Sequence, residues 1–132
     1  MGDDKQDVLE TILAQDQAAF ERWYKGDPWA YVGLMAEEMT YFSPFENRLI
    51  DGKKAIEAGL APIVGQIQVP AFEILNPKLQ LGEDIAVLEF NLNENDQDGA
   101  LMAGWKVTEV YRKMGDNWRM IHTHFSAMAE TE

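Results

Sequence analysis

The sequence predicts an α+β fold in which helices come first and a mainly antiparallel sheet follows. Three observations carry this. Apolar residues near the amino terminus recur at helical spacing, the pattern changes to strand alternation after about residue 65, and turn residues separate the later segments. At 132 residues the chain has the length of one domain. Residues 1–7, polar and acidic, read as a flexible tail.

Val8, Leu9, Ile12, Leu13, Ala19, Phe20 and Trp23 form the apolar stripe of an opening helix. Gly26 stops it, and Asp27 before Pro28 supplies a capping carboxylate followed by a residue that needs no amide hydrogen. A short second helix is expected over residues 28–36. Residues 38–43 read as a strand, with Met39 and Tyr41 on one face and Thr40 and Phe42 on the other; Pro44 ends it. Residues 45–51 read as a loop and 52–60 as a third helix with Asp51 as its cap. Strands are expected over 69–75, 85–92, 101–113 and 118–128, the last two joined by a tight turn at Gly115, Asp116 and Asn117. The acidic segment 93–99 reads as a solvated hairpin loop without the spacing of a calcium-binding helix-loop-helix.

Composition excludes several functions. Eleven basic and 23 acidic residues give a net charge of −12, which repels nucleic acid and anionic membrane surfaces. No apolar run approaches the roughly 20 residues that cross a bilayer. The amino terminus lacks an apolar signal core, so the cytoplasm is the expected location. Without cysteine there are no disulfides, thiolate nucleophiles or Cys-ligated metals. The glycines at 59, 65 and 82 have no phosphate-loop spacing, and no cofactor is expected.

Several stretches together resemble the nuclear transport factor 2-like superfamily, within it the SnoaL-like and calcium/calmodulin-dependent kinase II association-domain-like groups. They are Gly26-Asp27-Pro28, Met39-Thr40-Tyr41-Phe42-Ser43-Pro44, Asp51-Gly52-Lys53-Lys54-Ala55-Ile56 and Gly82-Glu83-Asp84-Ile85-Ala86-Val87-Leu88. The closest likeness is at the carboxyl end, where Val107-Thr108-Glu109-Val110-Tyr111-Arg112 leads through Gly115 to Trp118-Arg119-Met120-Ile121-His122-Thr123-His124-Phe125-Ser126. The resemblance implies a cystatin-like cone, three helices packed in a highly curved sheet, around a deep pocket. Such pockets serve isomerases, cyclases, dehydratases and non-enzymatic assembly domains alike. In the kinase association domains, pocket arginines stand at the positions of Leu92, Glu109 and Phe125. Their absence here disfavours a carboxylate ligand and favours a neutral or cationic one. The strand end that often carries an acidic base in steroid isomerases has Ser43.

Strand parity gives the candidate site residues. Ala86, Leu88, Phe90 and Leu92 share a wholly apolar face, and Trp105, Val107, Glu109 and Tyr111 share the next. On the last strand Met120, His122, His124 and Ser126 oppose Ile121, Thr123 and Phe125. Glu109, between two aromatics on a cavity-facing side, is the candidate catalytic residue, since a desolvated carboxylate gains a raised pKa; the alternative is a solvated or salt-bridged glutamate. Trp23, Tyr24, Tyr41, Trp105, Tyr111 and Phe125 are candidate ligand contacts, or else ordinary core. Met35, Met39, Met102 and Met120 read as adaptable packing. His122 and His124 are the only histidines; they are read as interface or structural residues in preference to a metal pair, which would lack a third histidine. The expected function is a pocket for a small hydrophobic molecule, with isomerase, cyclase or dehydratase chemistry on a neutral substrate as the enzymatic form. The alternative is a non-catalytic association domain. A homodimer through the outer sheet face is expected in either case.

Overall fold

The computed structural model describes residues 4–129. Helix α1, Lys5–Trp23, opens at Asp4, whose side chain accepts a hydrogen bond from the Gln6 amide at 2.8 Å. The expected tail does not hold for residues 4–7, because Asp4 is a cap and residues 5–7 are helical; residues 1–3 lie outside the described residues. Val8, Ile12, Asp16, Ala19 and Phe20 are its buried face. Gly26 turns the chain at φ 94°, and its carbonyl accepts from the Gly65 amide at 2.8 Å. A Cβ there would lie 2.8 Å from Gly65 Cα, so glycine permits both the dihedral and the approach.

Helix α2 is only Trp29–Val32, its first amide bonded to Asp27 Oδ1 at 3.0 Å, which is the capping carboxylate expected there. The expected extension to residue 36 fails because Gly33 caps the helix and the chain then joins the sheet. The Leu34 carbonyl already accepts from the Met120 amide at 2.8 Å. Strand β1, Met35–Phe42, thus begins three residues earlier than expected. A two-residue strand β2, Ile50–Asp51, lies in the segment read as a loop and pairs with Thr40 and Tyr41. Asp51 is committed to that pairing and does not cap helix α3, Lys53–Leu60, whose N-cap is Gly52 with no side-chain bond. A 3-10 turn, Ala61–Ile63, follows.

The remaining strands are β3, Ala71–Leu81, β4, Ile85–Asn95, β5, Leu101–Met114, and β6, Asn117–Ala127. They build one curved six-stranded sheet in the order β2-β1-β6-β5-β4-β3, antiparallel except between β1 and β6. Strand β3 runs six residues beyond its expected end. Asn76 at φ 53° and Pro77 form a bulge that the sequence reads as a stop but that an edge strand accommodates. Strand β4 likewise consumes 93–95 of the expected acidic loop. Register shifts recur in all four longer pairings, and such bulges bend a sheet.

Helices and sheet meet over one core. Ala86, Leu88, Phe90 and Leu92 are buried on the inner face of β4, as the alternation requires, against Ile12, Phe20 and Ile56 in the same cluster. Each of the three larger side chains contributes about 1.5–3 kcal/mol relative to exposure. Met120 corrects the parity of the last strand. Ile121 is an extra residue between the pairs Tyr111 with Met120 and Val110 with His122, so Met120 is buried inside while His122 and His124 face out. Met102 is exposed and is not a packing residue.

Candidate functional site

Between the helices and the concave sheet lies a cavity of about 470 Å³. Helix α1 contributes Phe20 and Trp23, with Tyr24 at its end, because the i, i+3 and i+4 positions of its last turns face the sheet. Tyr31 comes from α2, Tyr41 from the inner face of β1, Phe45 from the following loop, and Ile56, Leu60 and Ile63 from the third helix and its extension. The sheet supplies Glu94, Trp105, Thr123 and Phe125.

Tyr31 is the centre of an aromatic box. Its ring lies 5.2 Å from Phe20 and 5.9 Å from Trp23, and Phe125 meets it edge-on at 6.4 Å. Tyr41 packs edge-on against Phe125 at 6.2 Å. Apart from Gln66, the walls are apolar except at two places, each organised by a carboxylate.

The first is the floor. The Tyr31 hydroxyl donates to Glu109 Oε2 at 2.6 Å and lies 3.3 Å from Thr123 Oγ1, which donates to the Thr108 carbonyl at 3.3 Å. Glu109 is 0% exposed and stands behind this pair rather than in the cavity wall. Tyr111 is also behind the wall: its hydroxyl donates to Asp16 Oδ1 at 2.8 Å and approaches Glu109 Oε1 at 3.3 Å. Asp16 is 0% exposed, and its Oδ2 has no partner among hydroxyls and amides.

Two carboxyl groups are thus buried side by side. Burial drives the Glu109 pKa well above the ordinary range, and the charge of Asp16 pushes it further. Burial also raises Asp16, to about 6, against the hydrogen bonds from Glu109 and Tyr111 that lower it. Like charges so enclosed cannot both persist, so near neutrality the pair holds one proton between them. Burial and the same carboxyls raise the Tyr31 and Tyr111 phenols, keeping both as donors. The solvated or salt-bridged reading of Glu109 is overturned. Among the described residues the ion pairs are Arg22 with Asp27 and Arg112 with Glu38, both elsewhere.

The second polar place is Glu94. Its Oε2 accepts from the Tyr24 hydroxyl at 2.7 Å and from Trp105 Nε1 at 2.9 Å, on the side where Phe45, 82% exposed, meets Trp105 edge-on.

Of the expected ligand contacts, Trp23, Tyr41, Trp105 and Phe125 lie in the wall, whereas Tyr111 and Glu109 form the layer behind it. Three polar residues escaped the sequence reading. Asp16 lies four residues after Ile12 and four before Phe20, on the apolar stripe, and that position signals burial. Glu94 continues the parity of Ala86, Leu88, Phe90 and Leu92 by one step, but it stands in an acidic run that reads as a solvated loop. Tyr31 carries no such signal, since α2 is too short for periodicity.

Ser43, at the strand end, accepts from the Phe45 amide at 3.1 Å and shapes the turn. On the outer face, the Thr40 hydroxyl lies 2.9 Å from His122 Nδ1, and Phe42 packs against both histidine rings at 5.6 and 5.1 Å. Burial and the neighbouring His124 lower the His122 pKa. Among the described residues no cluster of three His, Asp or Glu is placed to hold a metal, and no helix is long and apolar enough to cross a membrane.

Comparison with solved structures returns the same architecture. A ketosteroid-isomerase-like protein from Parabacteroides distasonis matches with 30% identity and a TM-score of 0.80 over 92% of this chain and 88% of its own. An NTF2-like protein of unknown function from Pseudomonas putida matches at 20% identity and a TM-score of 0.79, covering 96% and 91% of the two chains. The association domain of C. elegans CaMKII matches at 23% identity and a TM-score of 0.73, covering 92% and 97%. The latter two show the fold alone. No curated protein matches the sequence. The SnoaL-like domain model spans residues 12–130, from the buried stripe of α1 through the last strand; the chain therefore belongs to the SnoaL-like family of the NTF2-like superfamily.

Proposed function

We propose that the domain binds a hydrophobic small molecule, neutral or cationic, in the cavity between helices and sheet. The observation that carries this reading is the cavity itself: about 470 Å³, with eight aromatics in its wall and, among the described residues, neither lysine nor arginine. That volume lies in the usual range for small-molecule pockets. A carboxylate ligand has no cationic partner there.

The enzymatic form of this reading is isomerisation, cyclisation or dehydration, with the Tyr31 hydroxyl as the group that touches substrate. A proton taken by the phenolic oxygen would be matched by passage of its own proton to Glu109 Oε2, 2.6 Å away, and of the proton the carboxyl pair already holds from Glu109 on to Asp16. Glu109 then acts through Tyr31, as a positioning and proton-holding residue, with Asp16 setting how readily it takes the proton.

Calorimetric titration with a series of alkylphenols tests the binding reading. One saturable site per chain is expected, abolished by Ile67→Trp, which fills the cavity from its wall. Heat from none of the ligands, or heat unaffected by the filling substitution, would exclude the cavity as a binding site.

We further infer that two copies pair through the outer sheet face. Exposed Phe42 lies there against His122 and His124, beside a shallow concavity bounded by Glu89, Lys106, Thr108 and Ser126. The likeness in fold to an association domain supports the pairing.

A further inference from the structure

We propose that the cavity selects a cationic ligand, an organic ammonium with an apolar body, and that Glu94 is its counter-charge. The proposal rests on the small-molecule reading above and names the ligand's chemistry. Among the described residues Glu94 is the only acidic side chain in the wall, and no basic side chain accompanies it.

Glu94 is held for such a role. The Tyr24 hydroxyl and Trp105 Nε1 both donate to the same oxygen, Oε2, at 2.7 and 2.9 Å. Neither bond engages Oε1. The two donors are themselves aromatic and line the cavity, and Phe45 adds a third ring edge-on to Trp105 at 5.9 Å. A carboxylate with a free oxygen among three aromatic rings is suited to an alkylammonium group, which gains the ion pair and, over a ring face, cation-π attraction. The net charge of −12 raises the local concentration of cations and repels anions. The rest of the wall, Phe20, Tyr31 and Phe125 among it, suits an apolar or aromatic body.

The competing ligand is a neutral molecule of the same shape. Moving an ammonium from water into an apolar cavity is costly without a counter-charge, so a cavity that did not use Glu94 would prefer the neutral isostere. The pair 3-hydroxyphenyltrimethylammonium and 3-tert-butylphenol differs only in nitrogen against carbon. Their affinities for the full chain, measured by calorimetry, decide the matter. The ammonium is expected to bind at least tenfold more tightly, and Glu94→Gln, which keeps an acceptor for Tyr24 and Trp105, is expected to remove most of that preference while leaving 3-tert-butylphenol within twofold. Equal or tighter binding of the neutral compound to the unmodified protein overturns the cation assignment and leaves the small-molecule reading standing, and this comparison holds even should the variant not fold. A preference that survives in a folded Glu94→Gln protein overturns the role of Glu94. Absence of binding by both compounds at millimolar concentration overturns the small-molecule reading, and the proposal with it.

Discussion

Glu109 and Asp16 illustrate how far one residue's surroundings determine its chemistry. Both carboxyls titrate above their ordinary values in the folded chain, Asp16 near 6 against 3.8. The folded state therefore retains protons that the unfolded chain releases. Their contribution to stability is full below about pH 4 and is lost as pH rises through the folded values. His122, whose pKa is lowered, acts oppositely below about pH 6.5, so a variant isolates the carboxyl effect. Glu109→Gln keeps an acceptor for Tyr31 and offers Asp16 Oδ2 an amide donor. It is expected to raise stability at pH 8 by about 1–2 kcal/mol, or at least not lower it, and to flatten the pH slope, as urea denaturation across pH will measure. Tyr31→Phe strips Glu109 of its shortest hydrogen bond and should cost about 1–3 kcal/mol in the same assay. At this scale the sequence is legible where polarity and pattern agree. Glu109 is identifiable because two aromatics flank it by parity, whereas Asp16 and Glu94 occupy apolar registers and look like surface charges until the registers are extended through them.

Elements position these residues, and their irregularities do most of the positioning. The extra residue at Ile121 lets one strand bury Met120 and then, after a change of face, bury Thr123 and present His122 outward. A strict period-two reading cannot show this, because a bulge leaves no signature in a run of β-formers. Asn76-Pro77 misleads in the opposite sense: the dipeptide looks like an ending, yet β3 continues through it at the sheet edge. Regular stretches are the legible ones, as in Ala86 to Leu92, where alternation and burial coincide without interruption. The contact between Gly26 and Gly65 ties the end of α1 to the segment after the third helix, close to the cavity wall at Gln66 and Ile67. Gly26→Ala meets both a positive φ and a 2.8 Å approach, and should cost about 1–3 kcal/mol, seen as a thermal midpoint several degrees lower.

At the scale of the whole molecule the inner face of the sheet encloses a cavity and the outer face carries the features suited to pairing. The two proposed functions therefore separate by sheet face. Light scattering at tens of micromolar is expected to give twice the chain mass, and paired His122→Ala and His124→Ala substitutions should shift it toward the monomer while leaving ligand affinity unchanged. A monomeric unmodified protein would remove the outer face from the account. The central claim concerns the inner face, and the four tryptophans test it directly. Trp23 and Trp105 line the cavity, whereas Trp29 is exposed and Trp118 is buried, both outside the wall. Heteronuclear NMR resolves their indole N–H signals during titration with 3-tert-butylphenol or its ammonium isostere. The account predicts saturable shifts at Trp23 and Trp105, with Trp29 and Trp118 unmoved; shifts confined to Trp29 or Trp118, or none at saturating ligand, would contradict it.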